Sequence, residues 1–192
     1  MVVGLHGWGA NAQNVASLAP LLNLPEYQLL FPNAPFPNPY ASGGKMWYSF
    51  RQPQQSPEQG YQELAESQRL LTDWLESLES NTGIPLSRTI LAGFSQGGAM
   101  TLDVGLHLPL AGMAVLSGYL HPISQPIEPR TFPPVLIVHG RQDSVVPLSA
   151  AHKSRDTLTA MEVAVEYQEF DMGHEISPEV LTLIRSFVTK HT

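Results

Sequence analysis

The sequence predicts an α/β fold: a mostly parallel sheet of about six strands with helices on both faces. Three observations predict it. Short apolar runs at Val2 to Leu5, Thr89 to Gly93, Gly112 to Leu116 and Val135 to Val138 alternate along the chain with stretches of helical periodicity. These runs are continuously apolar, as strands buried on both faces must be, not alternately polar and apolar. One of them passes through Gly93-Phe94-Ser95-Gln96-Gly97 directly into an apolar helical pattern, so a strand meets its helix through a tight turn that carries a serine.

In chain order, Val2 to Leu5 is a strand followed by the glycine-rich loop His6-Gly7-Trp8-Gly9-Ala10-Asn11. Asn14 to Leu22 has helical spacing of Val15, Leu18, Leu21 and Leu22, with Asn14 as its expected N-cap. Tyr27 to Phe31 reads as the second strand, closed by Pro32. Residues 33–57 form a Pro-, Asn- and Gln-rich excursion holding Phe36, Tyr40, Met46, Trp47, Tyr48 and Phe50. A loop of that length in a compact domain is usually functional or disordered. Its aromatics favour an ordered segment over the site, with Trp47 and Tyr48 bordering a substrate groove. On that reading Trp47→Ala changes selectivity more than serine reactivity; equal effects point to a folding role.

Gln59 to Glu79 is the clearest amphipathic helix, with apolar residues at Tyr61, Leu64, Ala65, Leu71, Trp74, Leu75 and Leu78. Asn81 to Pro85 ends it. Thr89 to Gly93 is the strand before the serine turn and Gln96 to Leu108 the helix after it, stopped by Pro109. Gly112 to Leu116 is a strand leading to Ser117-Gly118-Tyr119-Leu120, and a Pro-rich connection, His121 to Pro134, leads to the strand Val135 to Val138. Leu148 to Met161 reads as helix, Val163 to Phe170 as strand and Pro178 to Lys190 as the last helix. There is no internal repeat or linker, so residues 1–192 read as one domain with the 33–57 excursion.

Composition narrows the function. Charged residues make up 14%, hydrophobic residues 43%, and the net charge is −7, which argues against nucleic-acid or anionic-membrane partners. The absence of cysteine excludes disulfides and thiolate metal sites. No apolar run approaches the roughly 18 residues of a membrane span. Met1-Val2-Val3-Gly4-Leu5 lacks the basic start of a signal peptide, so a cytoplasmic protein is expected.

Gly-x-Ser-x-Gly between strand and helix is the pattern of a nucleophile elbow, in which the backbone N–H of the following residue, Gln96, faces a developing oxyanion. The alternative is a serine that merely caps the helix. The catalytic reading requires an acid and a histidine later in the chain, in that order. Asp143 follows Val138-His139-Gly140-Arg141-Gln142 at a strand end. Asp156 falls within a helix, Asp171 is too close in sequence to the candidate base, and Asp103 lies on the helix behind the elbow. Of the histidines after Asp143, His152 lies in a helix and His191 at the terminus, whereas His174 sits between the last strand and the last helix. Serine needs a base to take its proton, and an aspartate to fix the imidazole tautomer. The second oxyanion donor belongs to the loop after the first strand, where spacing leaves Gly7, Trp8 and Gly9 open. His6 and His139 read as packing residues that hydrogen-bond locally.

Leu5-His6-Gly7-Trp8-Gly9-Ala10, Gly93-Phe94-Ser95-Gln96-Gly97-Gly98, His139 to Pro147 and Met172-Gly173-His174-Glu175-Ile176 resemble the motifs of the phospholipase/carboxylesterase family of α/β-hydrolases, which includes the acyl-protein thioesterases. Pro32-Asn33-Ala34-Pro35 and Met46-Trp47-Tyr48 also match. The resemblance implies an α/β-hydrolase fold, a triad of Ser95, Asp143 and His174, and an oxyanion hole of the Trp8 and Gln96 backbone N–H groups. The chain begins later than the family pattern, so the usual N-terminal strands are expected to be missing, and Ser49 stands where the family often has an acid.

The expected activity is a serine carboxylesterase acting on short- to medium-chain acyl esters through an acyl-enzyme. Thioesters of acylated proteins and lysophospholipids are the alternative substrates. A non-catalytic hydrolase-fold binding protein is the alternative of another class, and a peptidase a weaker one. Candidate substrate-contacting residues are Trp47, Tyr48, Tyr119, Leu120 and Val146. The expected partner is a small-molecule ester, with a homodimer as the protein assembly admitted. No cofactor and no metal are expected, because triad chemistry moves only protons. Dialysis against a chelator is expected to leave the hydrolysis rate unchanged; loss restored by a divalent ion would contradict this.

Overall fold

The computed structural model describes residues 1–50, 57–123 and 131–192. Parts of the 33–57 excursion and of the His121 to Pro134 connection therefore lie outside the described residues. The sheet strands are β1 (Val2–Leu5), β2 (Leu29–Leu30), β5 (Ile90–Phe94), β6 (Gly112–Leu116), β7 (Val135–Gly140) and β8 (Val165–Phe170). They pair in the order β2-β1-β5-β6-β7-β8, and every pairing is parallel. Two further short strands, β3 (Phe36–Pro37) and β4 (Lys45–Met46), pair antiparallel within the excursion, which is therefore ordered there.

Helices cover both faces, and the strand period of two decides which residue goes where. Val3, Leu5, Leu91, Val115 and Ile137 pack on one side, against α3 (Pro57–Thr82), α4 (Gln96–Gly105) and α5 (Leu148–Ala160). Their neighbours Val2, Ile90, Ala92, Ala114, Leu116, Leu136 and Val138 pack on the other, against Leu22 of α2 (Ala19–Leu22) and Val180, Ile184, Phe187 and Val188 of α6 (Pro178–His191). Two buried faces explain the unbroken apolar runs. On α3, Leu71, Leu75 and Leu78 follow the helical repeat and are buried, each contributing about 1.5–3 kcal/mol by leaving water.

The helix expected over Asn14 to Leu22 is two: α1 (Ala12–Ala16) and α2. Asn11, not Asn14, is the N-cap. Its side chain accepts from the backbone N–H groups of Gln13 and Asn14, while the Asn14 side chain accepts from Asn11 N–H. Pro20 then lies in the first turn of α2, where its missing N–H costs nothing, whereas in the middle of one long helix it would remove a bond. Strand β2 spans only Leu29–Leu30, shorter than Tyr27 to Phe31; it is an edge strand whose pairing with β1 covers Val2 and Val3 alone. Helix α4 stops at Gly105, short of Leu108; the next residues tighten into three-residue turns, His107 N–H to the Val104 carbonyl and Leu108 N–H to that of Gly105, before Pro109.

Strand β1 has β2 on one side and β5 on the other, so the chain reverses its direction of travel across the sheet there. In open parallel sheets the crevice beyond the strand ends at such a reversal is where ligands bind. The His6-Gly7-Trp8 loop and the serine turn after β5 both lie at this crevice.

Candidate active site

Ser95 sits between β5 and α4 with φ 56° and ψ −119°, a conformation that costs of order 1–3 kcal/mol for a residue with a side chain. Close packing enforces it. A Cβ on Gly93 would lie 2.1 Å from the Gly97 carbonyl oxygen, and one on Gly97 would lie 2.5 Å from that of Leu5. Only glycines let β5 turn back this sharply beside β1. Ser95 precedes α4 yet its side chain makes no capping hydrogen bond, so its hydroxyl is left for other use.

That hydroxyl lies 3.0 Å from His174 Nε2, and His174 Nδ1 lies 2.7 Å from Asp143 Oδ2. Asp143 follows β7 and His174 follows β8, two neighbouring strands whose exits are locked together. A Cβ on Gly140 would fall 2.3 Å from the Met172 carbonyl oxygen, so the two loops touch backbone to backbone. The other oxygen of Asp143, Oδ1, accepts from the backbone N–H groups of Val145 and Val146 at 2.9 and 2.8 Å. Burial pushes the Asp143 carboxyl up, but the bond from His174 and those from Val146 and Val145 outweigh it and hold the group below the usual carboxylate range. An ionised carboxylate accepts only, so His174 Nδ1 carries the proton and its Nε2 lone pair faces the Ser95 O–H. Phe94 packs on the His174 ring at 4.7 Å between centroids and limits its tilt.

The second donor loop lies alongside. Gly7 is pressed against the elbow: a Cβ there would be 3.3 Å from both Phe94 Cδ1 and Ser95 Cβ. Among the described residues no group accepts from the backbone N–H of Trp8 or of Gln96, while Gly9 and Ala10 N–H are engaged with Lys45 and Gly7 carbonyls. His6 is fully buried; its Nδ1 bonds the Gly7 carbonyl and its Nε2 accepts from Ala34 N–H. Burial lowers its pKa, which keeps the ring neutral and able to make both bonds. His139 is equally buried and donates from Nε2 to the Val146 carbonyl, fixing the loop that carries Asp143.

The cleft above Ser95 has a volume of about 510 Å³ and is walled by Trp8, Phe50, Tyr119, Leu120, Val145, Val146, Pro147, Ala150 and Lys153, with His174. Tyr119, Leu120 and Val146, candidate substrate contacts from the sequence, are among its lining residues. Leu120 is held by its backbone N–H, which donates to Ser154 Oγ on α5.

Trp47 and Tyr48 do not line this cleft. Trp47 is 2% exposed and Tyr48 6%, because the excursion turns both inward. The Trp47 indole N–H donates to the His6 carbonyl and its ring stacks on the His6 imidazole at 5.5 Å. The Gln96 side chain accepts from Trp47 N–H and donates to the Tyr48 carbonyl, and the Ser67 hydroxyl donates to the Trp47 carbonyl. Buried indole and phenol groups need such partners. Tyr48 finds Tyr119, hydroxyl to hydroxyl at 2.5 Å, and so positions a residue of the cleft wall from behind. The aromatic of this segment that faces the cleft is instead Phe50, which contacts Trp8. Phe50, Val145, Pro147, Ala150 and Lys153 were missed as wall residues; nothing in the local pattern distinguishes Phe50 from the inward-facing Trp47 and Tyr48.

These placements give different expectations for two aromatics of one segment. Trp47→Ala is expected to destabilise by about 3–5 kcal/mol, read as a lowered urea midpoint. Phe50→Ala, at a half-exposed position, is expected to leave the midpoint nearly unchanged and to shift the acyl-chain-length profile. The opposite pattern would reverse the assignment of cleft wall and support.

Asp103 bonds His121 Nδ1 at 2.8 Å and Gln68 at 3.2 Å, away from Ser95. Asp156 pairs with Arg155, Asp171 with Arg141 and His152 with Glu169, so none of these sequence alternatives joins the Ser95 group. Among the described residues no group of three or more His, Cys, Asp or Glu side chains could hold a metal ion, and no helix is long and apolar enough to cross a membrane.

A parallel sheet with a strained serine after its central strand defines the α/β-hydrolase class. The model of the phospholipase/carboxylesterase family matches residues 1–192, and the chain belongs to that family. It is 32% identical over 203 residues to acyl-protein thioesterase 1 of Neurospora crassa, covering 96% of this chain and 81% of that protein. Among solved structures it is similar to esterase PE8, with TM-score 0.85 and 26% identity over 100% of this chain and 92% of that one. It is also similar to SOBER1 of Arabidopsis thaliana, with TM-score 0.83 and 27% identity over 99% of this chain and 97% of that one. The protein is a serine hydrolase, a carboxylic ester hydrolase.

Proposed function

We propose that this protein is a carboxylesterase that hydrolyses short- to medium-chain acyl esters, with Ser95 as nucleophile, His174 as base and Asp143 as its orienting acid. The observation that carries the reading is the unbroken line Ser95 Oγ, His174, Asp143, with bonds of 3.0 and 2.7 Å and the last oxygen fixed by two backbone N–H groups. Ser95 Oγ attacks the ester carbonyl carbon as its proton passes to His174 Nε2. The carbonyl oxygen becomes an oxyanion facing the Trp8 and Gln96 backbone N–H groups, which meet no acceptor among the described residues. His174 then gives its proton to the leaving alkoxide as the C–O bond breaks, leaving Ser95 acylated. Water repeats the sequence, releasing the carboxylic acid and restoring Ser95 O–H.

A cleft of about 510 Å³, walled largely by side chains of the domain itself, suits an acyl group of short or medium length. The thioesterase reading draws on the name of the Neurospora crassa relative. The deciding experiment is a chain-length series of nitrophenyl esters run beside an S-acyl thioester and a lysophospholipid. The proposal expects the highest kcat/KM on a short or medium oxygen ester; a clear preference for long-chain thioester would assign the alternative. No turnover of any substrate and no labelling by a fluorophosphonate would assign a binding protein.

A further inference from the structure

Lys153 is the one residue with a fixed positive charge among the described residues of the cleft wall, and the sites around it explain why that charge is free. It stands on α5, between two basic residues already engaged. His152 bonds Glu169 at 2.8 Å, and Arg155 pairs with Asp156 at 2.8 Å and covers the Tyr167 ring. Glu169, the nearby acid on β8, is shared among His152, Arg141 and Tyr167, whose bonds, the His152 bond first, lower its pKa to about 2. Lys153 has no carboxylate partner among the described residues, and the first turn of α5 carries no acid. The rest of the wall is Trp8, Phe50, Tyr119, Leu120, the Val145 to Pro147 turn and Ala150. An ammonium at the rim of such an apolar cleft is poorly matched to a purely hydrocarbon substrate. It is also a local exception in a chain of net charge −7, whose overall field does not attract anions.

We infer that Lys153 is a specificity residue that selects esters bearing a negatively charged group, carboxylate or phosphate, beside the scissile bond. This rests on the esterase reading above and names its substrate class. The apolar wall holds the hydrocarbon part, and Lys153 engages the anion by a charge-assisted hydrogen bond. The charge can sit on the acyl side or on the leaving alcohol.

The test compares kcat/KM for isosteric pairs: a succinate or glutarate monoester against the corresponding neutral ester, and a butyrate ester of a phosphate-bearing alcohol against its uncharged counterpart. Which pair shows the preference identifies the side that carries the charge. In the wild type the anionic member is expected to be favoured. Lys153→Met is expected to lower the anionic-to-neutral ratio by about 5- to 10-fold, the size of a solvent-screened ion pair with a hydrogen bond. Lys153→Glu is expected to lower it further, Lys153→Arg to keep it, and added salt to shrink it in the wild type and Lys153→Arg but not in Lys153→Met. A purely structural role would lower both rates and leave the ratio unchanged, and a lysine that faces solvent would leave the rates and the ratio unchanged; either overturns the inference. If neutral esters turn over normally while neither pair responds to Lys153, the inference fails and the esterase reading stands. If no ester turns over and Ser95 takes no fluorophosphonate, the esterase reading itself fails, and this inference with it.

Discussion

Ser95→Ala is expected to lower kcat/KM for ester hydrolysis by about 10⁴-fold or more while the protein stays folded. The effect is chemical. The substitution removes the one hydroxyl that His174 Nε2 reaches, and leaves the His174–Asp143 bond and the Trp8 and Gln96 N–H groups in place. The lost hydrogen bond is worth only about 1 kcal/mol to stability, so the urea midpoint should move little. Ser95→Gly is a useful second variant. It removes the same hydroxyl, yet glycine accepts φ 56° without the strain a side chain brings, so this variant should be equally inactive and at least as stable as Ser95→Ala. Both should escape labelling by a fluorophosphonate that modifies the wild type at one residue. Near-normal hydrolysis by either variant would remove Ser95 from the mechanism.

Much of this site is legible in the sequence, for identifiable reasons. The glycines of the elbow are dictated by contacts with backbone oxygens, at Gly97 and Leu5, which no side chain arrangement can relieve, so the motif carries its geometry with it. The order of serine, acid and histidine along the chain follows from strand order: Ser95, Asp143 and His174 leave β5, β7 and β8 at the same end of one parallel sheet. The capping alternative for Ser95 could not be dismissed from sequence, because it differs only in where a hydroxyl points. The excursion was harder. Trp47, Tyr48 and Phe50 sit within four residues, and what turns the first two inward is a set of distant partners: His6 for the indole, Gln96 for the two backbone groups, Tyr119 for the phenol. None of these pairings leaves a local trace. The split of the first helix was readable in principle, since Asn11 with Asn14 three residues on is a reciprocal cap and Pro20 marks a fresh start.

Asp143→Asn is expected to cost about 10²- to 10⁴-fold in kcat/KM, and the hydrogen bonds around Asp143 say why. Its Oδ1 is held by two donors, Val145 N–H and Val146 N–H. An asparagine has one acceptor oxygen, which those two donors claim, so its NH₂ group must face His174. The imidazole then accepts at Nδ1, moves its proton to Nε2, and presents a donor where Ser95 needs an acceptor. The fold survives, because an amide of the same shape replaces the carboxylate. Asp171→Asn and Asp156→Asn, on exposed groups paired with Arg141 and Arg155, should be nearly silent; if one of them abolished activity while Asp143→Asn did not, the acid would be misassigned. The same substitution has a pH signature in stability. The folded-state pKa of Asp143 lies below its unfolded value of about 3.9, so the unfolded chain binds the proton more readily. The stabilisation by the ionised carboxylate is therefore complete above about pH 4 and is lost as pH falls through the lower folded-state value. Urea midpoints of wild type and Asp143→Asn measured from pH 6 down to pH 3 should converge towards the acid end. A gap that stays constant over that range would mean that Asp143 gains nothing from being ionised in the folded protein, and that the carboxylate holding the His174 tautomer is not there.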